Sequence, residues 1–404
     1  MLKKVPVEQL QQGMYVHALC GSWLSHDFWR TSFLLDSAEV MQKLRASAVQ
    51  EVWIDTARGK TAPALVEPTL NTPAPATTPD AAPPQPTTLA EELERAMALC
   101  AEANTAVMHM FSEARMGGAV DVNTANNLVT AINESVHRHP DAFLSVARLK
   151  TSDNYTYMHS VAVSGLMVAL ARSMGLSTEQ VHQAGMAGLL HDMGKAYTRL
   201  EVLNKPGPLT DEEFMHMKQH PSEGYALLKT HVEDEHVLDA CLHHHERMDG
   251  KGYPHGLAGE QIHVLARMAC ICDVYDAITS DRPYKKGWSP AIALQRMTEW
   301  CDGHFDKVIF DAFIKTIGIY PLGSMVRLQS GFLGLVCAQS PKSLSTPYIV
   351  AFYHVPQQRM LRPAKVMNLA RLTEERIVAR EDPTQWPFEN LETLWQKAAA
   401  SLPV

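Results

Sequence analysis

The sequence predicts a mainly α-helical protein, in which a helical bundle follows a small α/β N-terminal domain and precedes a small β-rich C-terminal appendage. Three observations predict this class. Apolar residues recur at helical spacing from residue 89 to residue 300. A proline-rich stretch interrupts the chain before that region. Short apolar runs separated by glycine and proline follow Tyr320, as is typical of strands.

Composition sets the predicted domain boundaries. A chain of 404 residues corresponds to roughly two to three domains. Prolines scattered among alanine and threonine make residues 61–88 an extended, semi-rigid linker. The predicted parts are an N-terminal domain at 1–60, the linker at 61–88, a helical connector at 89–144, the main helical domain at 145–320 and the β-rich appendage at 321–404.

The N-terminal domain alternates short apolar runs with turn residues. Tyr15–Leu19 and Val52–Ile54 are predicted strands, and Ala38–Leu44 is a predicted short helix. The aromatic residues between Gly21 and Arg30 either pack inside this small domain or form a docking face, and the sequence leaves both interpretations open.

Helical periodicity and capping residues predict the remaining elements. The predicted helices are Leu89–Phe111, Val120–Arg138, Tyr155–Met174, Thr178–His191, Thr210–His220, Pro221–Thr230, Val237–His245, Val264–Thr279 and Pro290–Trp300. The C-terminal appendage is predicted to contain strands Met325–Leu328, Gly334–Cys337 and Tyr348–Tyr353, followed by a helix at Leu391–Ala400.

Charge and hydropathy exclude several classes of protein. The net charge of −8 argues against a chain-wide electrostatic grip on a nucleic acid polymer or on anionic lipid. No apolar run approaches the ~20 residues that a membrane span needs. The start Met1–Pro6 does not resemble a signal peptide. The seven scattered cysteines lack a Cys-x-x-Cys pair, so we expect reduced thiols and a cytoplasmic location, and no cysteine-bound zinc.

Histidine is the unusual component of this sequence. Of its 19 histidines, twelve fall between His159 and His263, and histidine is the commonest metal ligand. A lone histidine in a helix is usually a core or surface residue, so the signal is the combination of a His-Asp doublet, a His-His doublet and further donors. The candidate metal ligands are His159, His191, Asp192, His220, His244, His245 and Asp273.

The spacing of the doublets indicates more than one ion. Adjacent side chains on a helix point about 100° apart, so His244 and His245 suit two ions better than one. Asp192 has two oxygens and could bridge those ions while His191 binds one of them. Nitrogen and carboxylate donors suit Mn, Fe, Ni, Co or Zn. Histidines outside this set match no ligand position and are predicted to face solvent: His182, His216, His231, His236, His255 and His263.

Three motifs resemble a known family. Gly188–Lys195, which contains His191-Asp192, resembles the signature of the HD superfamily of metal-dependent phosphohydrolases. The segments Leu203–Thr210 and His244–Pro254 look like those of the HD-GYP subfamily, and Asp273–Tyr284 completes the resemblance. It covers residues 145–320 and implies a helical HD-type bundle. The N-terminal segment also resembles a domain of unknown function that often precedes HD-GYP domains.

The resemblance implies an enzyme and its site. HD-GYP proteins are phosphodiesterases for the bacterial second messenger cyclic di-GMP, which they convert to linear pGpG, with further cleavage to GMP left open. Matching positions imply that all seven candidates bind two divalent ions, with Fe, Mn or Ni favoured. Asp192 and Lys195 take the catalytic positions, whereas Arg282, Lys285 and Tyr253 match positions that contact substrate.

The chain departs from the family pattern at two places. Some members carry a glutamate four residues before the first histidine, which supports a third metal. Here that residue is Tyr155, whose phenol is a poor ligand near neutral pH, so we predict two ions. Directly after Lys195, this chain has Ala196–Arg199 where many family members have a different sequence. This difference affects the loop shape and the substrate preference.

Two other functions stay open at this point. The domain could be a cyclic di-GMP sensor or docking module with little turnover, or it could hydrolyse another cyclic dinucleotide or phosphoester. Family analogy also gives the loop Gly252–Pro254 a partner, a cyclic-di-GMP synthase domain.

Overall fold

The computed structural model describes residues 2–20, 33–35, 41–42, 44–45, 51–55, 89–147, 155–203, 205, 207–281, 287–340, 343–372 and 374–402. The chain forms two compact units, Met1–Pro83 and Pro84–Val404. The aromatic segment, the predicted linker and the substrate-contact candidates Arg282 and Lys285 lie outside the described residues. Of the predicted helix Ala38–Leu44, residues 41–42 and 44 are described and are helical.

The first unit contains a small antiparallel sheet. Its described strands are β1 (Leu2–Pro6), β2 (Tyr15–Cys20), β3 (Phe33–Leu34) and β4 (Glu51–Asp55), in the order β1-β4-β2-β3. Both predicted strands are therefore confirmed, as β2 and β4. Met14, Val16 and Ile54 lie in the buried core of this unit, where alternating strand residues face inward.

The second unit is mainly helical, which confirms the predicted fold class. Its helices before the C-terminal sheet are α1 (Leu89–Arg115), α2 (Val122–Arg138), α3 (Pro140–Ala147), α4 (Tyr155–Ser173), α5 (Thr178–Leu190), α6 (Leu200–Leu203), α7 (Asp211–Met217), α8 (His220–Leu228), α9 (Glu235–His243), α10 (Val264–Thr279), α11 (Pro290–His304) and α12 (Lys307–Ile317).

Helix α4 is the central element of the bundle. Every side chain from Met158 to Ala171 is buried, because α4 packs against α5, α10 and α2. Glycine permits this close packing, since a Cβ at Gly188 on α5 would lie 2.8 Å from the backbone of Ser164. The helix that is apolar on all sides therefore fixes the position of its one buried imidazole, that of His159.

The sequence prediction overlooked three helices, α3, α6 and α12. Helix α12 begins at a cap in which the Asp306 side chain accepts hydrogen bonds from the amides of Val308 and Ile309. Helix α3 begins with Pro140, a favoured first residue of a helix. The long predicted helix Thr210–His220 is shorter than expected, because α7 ends at Met217 and α8 begins at His220.

The C-terminal part is an antiparallel sheet with a covering helix. The strands β5 (Met325–Leu328), β6 (Phe332–Ala338), β7 (Tyr348–His354), β8 (Arg359–Asn368) and β9 (Ile377–Arg380) lie in the order β8-β7-β6-β5-β9. Helix α13 (Leu391–Ala400) packs on β6 through the buried Trp395. Among the described helices, none is long and apolar enough to cross a membrane.

Candidate metal centre

The fold brings all seven predicted metal ligands together. His159 lies on α4, Asp273 lies on α10, and the other five lie at or just beyond the ends of α5, α8 and α9. Their donor atoms form three overlapping groups, in each of which all atoms lie within 4.8 Å of one another. These groups are His159, His191 and Asp273; His191, Asp192 and His244; and His220, His244 and His245.

Backbone carbonyls orient three of the imidazoles. The Nδ1 atom of His191 lies 2.8 Å from the carbonyl oxygen of Gly188, and that of His244 lies 2.8 Å from the oxygen of Cys241. His220 makes the same contact, at 2.7 Å, with Met217. A carbonyl only accepts, so each Nδ1 donates its hydrogen. Each Nε2 then presents a lone pair to the centre, as metal-binding histidines do.

Asp192 lies between two sets of histidines. Its Oδ2 atom is 3.6 Å from Nε2 of His159 and 3.4 Å from Nε2 of His191. Its Oδ1 atom is 3.3 Å from Nε2 of His220 and 4.0 Å from Nε2 of His244. The two oxygens of one carboxylate thus face different histidines. This arrangement suits a carboxylate that bridges two ions.

Two buried atoms of this cluster support its interpretation as a metal site. Among the described residues, neither Nε2 of His191 nor Oδ1 of Asp192 has a hydrogen-bond partner, although both atoms are buried. A buried polar atom without a partner is costly in free energy. The orphaned atoms are a nitrogen and a carboxylate oxygen, both of which are ligands of divalent transition metals.

The electrostatics keep both carboxylates charged and lower the pKa of two of the imidazoles. Burial opposes ionisation of Asp192, but His191 and Lys195 outweigh it and hold its pKa well below the ordinary value. The pKa of Asp273 is also well below its ordinary value, because the hydrogen bond from His159 outweighs burial. Burial lowers the pKa of His245 to about 3, and it lowers that of His244 as well. Metal ligands need these protonation states.

His159 has a second carboxylate partner that the sequence analysis did not identify. Its Nε2 lies 3.0 Å from Oδ1 of Asp273, and its Nδ1 lies 2.6 Å from Oδ2 of the buried Asp276. Burial lowers the pKa of His159, but these two carboxylates outweigh it and the pKa is raised. Spacing could have indicated Asp276, because residues three apart share one face of a helix.

Lys195 and Tyr253 lie beside the cluster. The Nζ atom of Lys195 is 2.6 Å from Oδ2 of Asp192, and its side chain is 20% exposed, so its charge borders both the centre and solvent. The ring of Tyr253 lies 4.7 Å from that of His245. Burial, with the charges of Asp273 and Asp192, raises the pKa of the Tyr253 phenol, which therefore stays protonated.

The loop that carries Tyr253 is anchored by Glu246. The buried Glu246 carboxylate accepts hydrogen bonds from the amides of His255, Gly256 and Leu257 at 2.7, 3.0 and 3.1 Å. Gly252 is required for close approach, since a Cβ there would lie 2.4 Å from Cα of Glu246. Glu246 was not identified from the sequence, because a loop anchor has no characteristic spacing.

Tyr155 stacks on His159 at the position where some family members carry glutamate. The two rings are 5.7 Å apart and nearly parallel, at 10°. The aromatic face of Tyr155 therefore covers this side of His159, at the position where a glutamate would supply a ligand to a third ion. The two-ion stoichiometry itself stays a prediction.

The other histidines of this region lie outside the three donor groups, and two pairs of them are in ring contact, His236 with His263 and His243 with His255. His236 and His255 are exposed as predicted, whereas His182, His216, His231 and His263 are half-buried, so that part of the prediction was wrong. His182 hydrogen-bonds to Asn126, which accounts for its partial burial. Cys241, Cys270 and Cys272 are buried in the helical bundle.

The helical fold and its histidine and aspartate cluster define an HD-domain protein. A family model described as "HD domain" matches residues 133–309, and one described as "Domain of unknown function (DUF3391)" matches residues 2–125. The chain carries the motifs of the HD-GYP family, and one relative is similar to it over nearly the whole of both chains. The chain therefore belongs to the HD-GYP family of the HD superfamily.

That full-length relative is the cyclic di-GMP phosphodiesterase PA4108 of Pseudomonas aeruginosa. It is 52% identical over 404 residues, which cover 99% of this chain and 97% of the relative. The cyclic di-GMP phosphodiesterase response regulator RpfG of Xanthomonas campestris is 38% identical over 46% of this chain and 50% of its own length. The 3'3'-cGAMP-specific phosphodiesterase 1 of Vibrio cholerae is 33% identical over 43% of this chain and 41% of its own length.

Proposed function

We propose that this protein is a metal-dependent phosphodiesterase that hydrolyses cyclic di-GMP to linear pGpG and thereby lowers the concentration of a bacterial second messenger. One observation carries the chemistry: each oxygen of Asp192 faces its own set of histidines. The substrate is supported by the 52% identity, over nearly the whole chain, to a relative named for that activity.

Two divalent ions are part of this proposal. One ion would be held by His159, His191, Asp192 and Asp273, and the other by Asp192, His220, His244 and His245, in agreement with the donor groups of the cluster. Such ions supply Lewis acidity and an activated water for phosphodiester hydrolysis. Iron, manganese or nickel fits a set of imidazole and carboxylate donors.

The residues of the chain contribute positive charge and orientation. Lys195 is held by Asp192 at the edge of the centre, where its ammonium group can neutralise charge that grows on the phosphoryl oxygens. The protonated Tyr253 phenol can donate a hydrogen bond to a phosphate or a base. Arg282 and Lys285 complete the proposed substrate contacts, the former through its planar guanidinium group and the latter as a point charge.

Two alternatives are weighed by specific observations. Another cyclic dinucleotide as substrate is favoured by the relative named for 3'3'-cGAMP. A sensor with little turnover is disfavoured, because a pure binding site has no need for seven converging metal donors. Binding of a cyclic-di-GMP synthase domain through Gly252–Pro254 rests on analogy, and an unchanged pull-down with Tyr253→Ala would contradict it.

The test is turnover by the metal-loaded full-length protein. Chromatography and mass spectrometry should detect pGpG from cyclic di-GMP in the presence of Mn²⁺ or Fe²⁺, and a panel of cyclic dinucleotides should rank cyclic di-GMP first. The double variant His191→Ala with Asp192→Ala should abolish product while circular dichroism retains the helical signal. Undiminished turnover by that variant would exclude the proposed centre.

A further inference from the structure

Lys218 lies between two aromatic rings next to the metal centre. Its Nζ atom is 4.9 Å from the ring centroid of Phe214 and 5.1 Å from that of Tyr253. The ring of Tyr253 lies in turn 4.7 Å from that of His245. One aromatic ring therefore separates the Lys218 ammonium group from an imidazole of the donor cluster.

The short helix α7 and the start of α8 fix the place of Lys218. Thr210 and Glu213 form a reciprocal cap at the start of α7, and Lys205 donates to the same Glu213 carboxylate at 2.5 Å. Lys218 caps the C-terminal end of α7, two residues before His220, whose imidazole belongs to the cluster. The backbone that carries Lys218 is therefore held at both ends.

The charge of Lys218 is available to an anion. Within the part of the chain that the structure describes, no carboxylate forms an ion pair with it, whereas Lys195 is paired with Asp192 and Lys205 with Glu213. Its contacts with Phe214 and Tyr253 orient the ammonium group without neutralising it. This half-buried cation beside a cluster that suits phosphate chemistry is a candidate phosphate contact.

Phe214 presents an apolar ring at the same edge. Its side chain is 47% exposed, and the neighbouring Met215 is 62% exposed. Exposed aromatic rings next to lysines are the groups on which nucleobases stack. A purely structural role, in which the Phe214 ring only supports Lys218, does not explain why almost half of the Phe214 side chain is exposed.

We propose that Lys218 and Phe214 form a subsite for the half of a cyclic dinucleotide that does not react. A cyclic dinucleotide has two phosphodiesters and two bases, so with one phosphate at the metal centre the second phosphate needs a cation outside it. Lys218 binds that second phosphate, and Phe214 stacks on a purine. This inference rests on the proposed function, and it adds residues that select a cyclic dinucleotide over a simple phosphodiester.

The experiment compares two substrates on the metal-loaded full-length protein. Cyclic di-GMP engages the subsite, whereas bis(p-nitrophenyl) phosphate has neither a second phosphate nor a base. For Lys218→Met, the ratio of kcat/KM between these substrates should fall about tenfold, mainly through KM, because one charged contact is lost. Lys218→Arg should restore part of the ratio, and Phe214→Leu should lower it.

A matched control is Lys229→Met. Lys229 also lies over an aromatic ring, 6.0 Å from that of Tyr225, but it caps the far end of α8. For Lys229→Met, the ratio of kcat/KM between the two substrates should equal that of the wild type. A wild-type ratio in Lys218→Met would overturn the subsite, whether kcat/KM stays unchanged for both substrates or falls equally for both. A merely structural lysine would affect both substrates alike.

Binding of fluorescent cyclic di-GMP separates the two claims. Wild-type protein that binds the dinucleotide without hydrolysing it would contradict the proposed function, while weaker binding by Lys218→Met would still support the subsite. Binding that is as tight in Lys218→Met as in the wild type would overturn the subsite alone. Wild-type protein that does not bind the dinucleotide would overturn both.

Discussion

The Nδ1 atom of His159 lies 2.6 Å from Oδ2 of Asp276, and both side chains are buried. A carboxylate behind a metal-binding imidazole fixes the ring and raises its basicity, and loss of such a partner typically lowers metal affinity 10- to 100-fold. Asp276→Asn should therefore weaken Mn²⁺ binding to the metal-free protein by about 10- to 100-fold in a calorimetric titration. Wild-type affinity would contradict the positioning role.

Asp239→Asn is the matched control for that change. Asp239 also contacts an imidazole Nδ1, that of His243, at 2.9 Å. His243 is outside the three donor groups, so we expect the affinity for Mn²⁺ to stay at its wild-type value. An equal loss in both variants would indicate a general effect of removing a carboxylate.

Tyr155 is expected to limit the centre to two ions. It lies one helical turn before His159 on α4 and stacks on that imidazole. Elemental analysis of the purified protein should give two ions per chain for the wild type and for Tyr155→Phe. Tyr155→Glu supplies a carboxylate there and should raise the number to three. Three ions in the wild type, or no gain with glutamate, would contradict this explanation.

Glu246 is expected to control the order of the loop that carries Tyr253. Its carboxylate accepts from three consecutive amides, and an amide side chain cannot replace it, because its nitrogen does not accept. Glu246→Gln should accelerate hydrogen exchange of the amides of residues 255–257 by about tenfold or more, since a buried donor without a partner costs about 1–3 kcal/mol. Exposed Glu260→Gln should leave these rates unchanged.

Glu92 is expected to stabilise the contact between α1 and α2. Its fully buried carboxylate accepts two hydrogen bonds from Arg138, at 2.7 and 3.0 Å, and one from Ser135. Glu92→Gln should lower the free energy of unfolding by about 2 kcal/mol in chemical denaturation. Glu134→Gln removes an exposed partner of the same arginine and should cost less than about 0.5 kcal/mol.

The contribution of Glu92 should depend on pH with a definite sign. Burial raises the pKa of Glu92, but the hydrogen bonds from Arg138 and Ser135 outweigh it and the pKa is lowered. The ionised form is therefore favoured by folding. The stabilisation that ionised Glu92 supplies is complete above the ordinary carboxyl pKa of about 4.3. It is lost as the pH falls through the pKa of Glu92 in the folded protein. The difference between wild type and Glu92→Gln should shrink over that acidic range, and a constant difference would contradict this explanation.

The ligand cluster could be predicted from sequence because its signal is local. The His191-Asp192 and His244-His245 doublets fall at predicted helix ends, where side chains are held rigidly. Asp276 shares a helix face with Asp273, but neither Asp276 nor Glu246 was given a role, because a buried carboxylate looks like any other acidic residue until its partners are known. Asp276 and its partner His159 are 117 residues apart in the sequence.

The missed secondary structure has equally physical causes. Strand β8 contains Pro363, which cannot donate to a sheet ladder and argues against a strand in the sequence. The structure accommodates it because β8 lies at the edge of the sheet. Helix α12 carries a clear helical pattern in Ile309, Phe313 and Ile317, but it begins only three residues after α11 ends, and the prediction overlooked it.

The most direct test of the two-ion phosphodiesterase is a stepwise metal titration of the metal-free full-length protein, in which bound Mn²⁺ and the rate of pGpG formation are measured on the same samples. Because Asp192 faces two sets of histidines, turnover should stay near zero through the first equivalent per chain and rise to its maximum with the second. Full activity at one equivalent, or no pGpG with two bound ions, would contradict a two-ion phosphodiesterase.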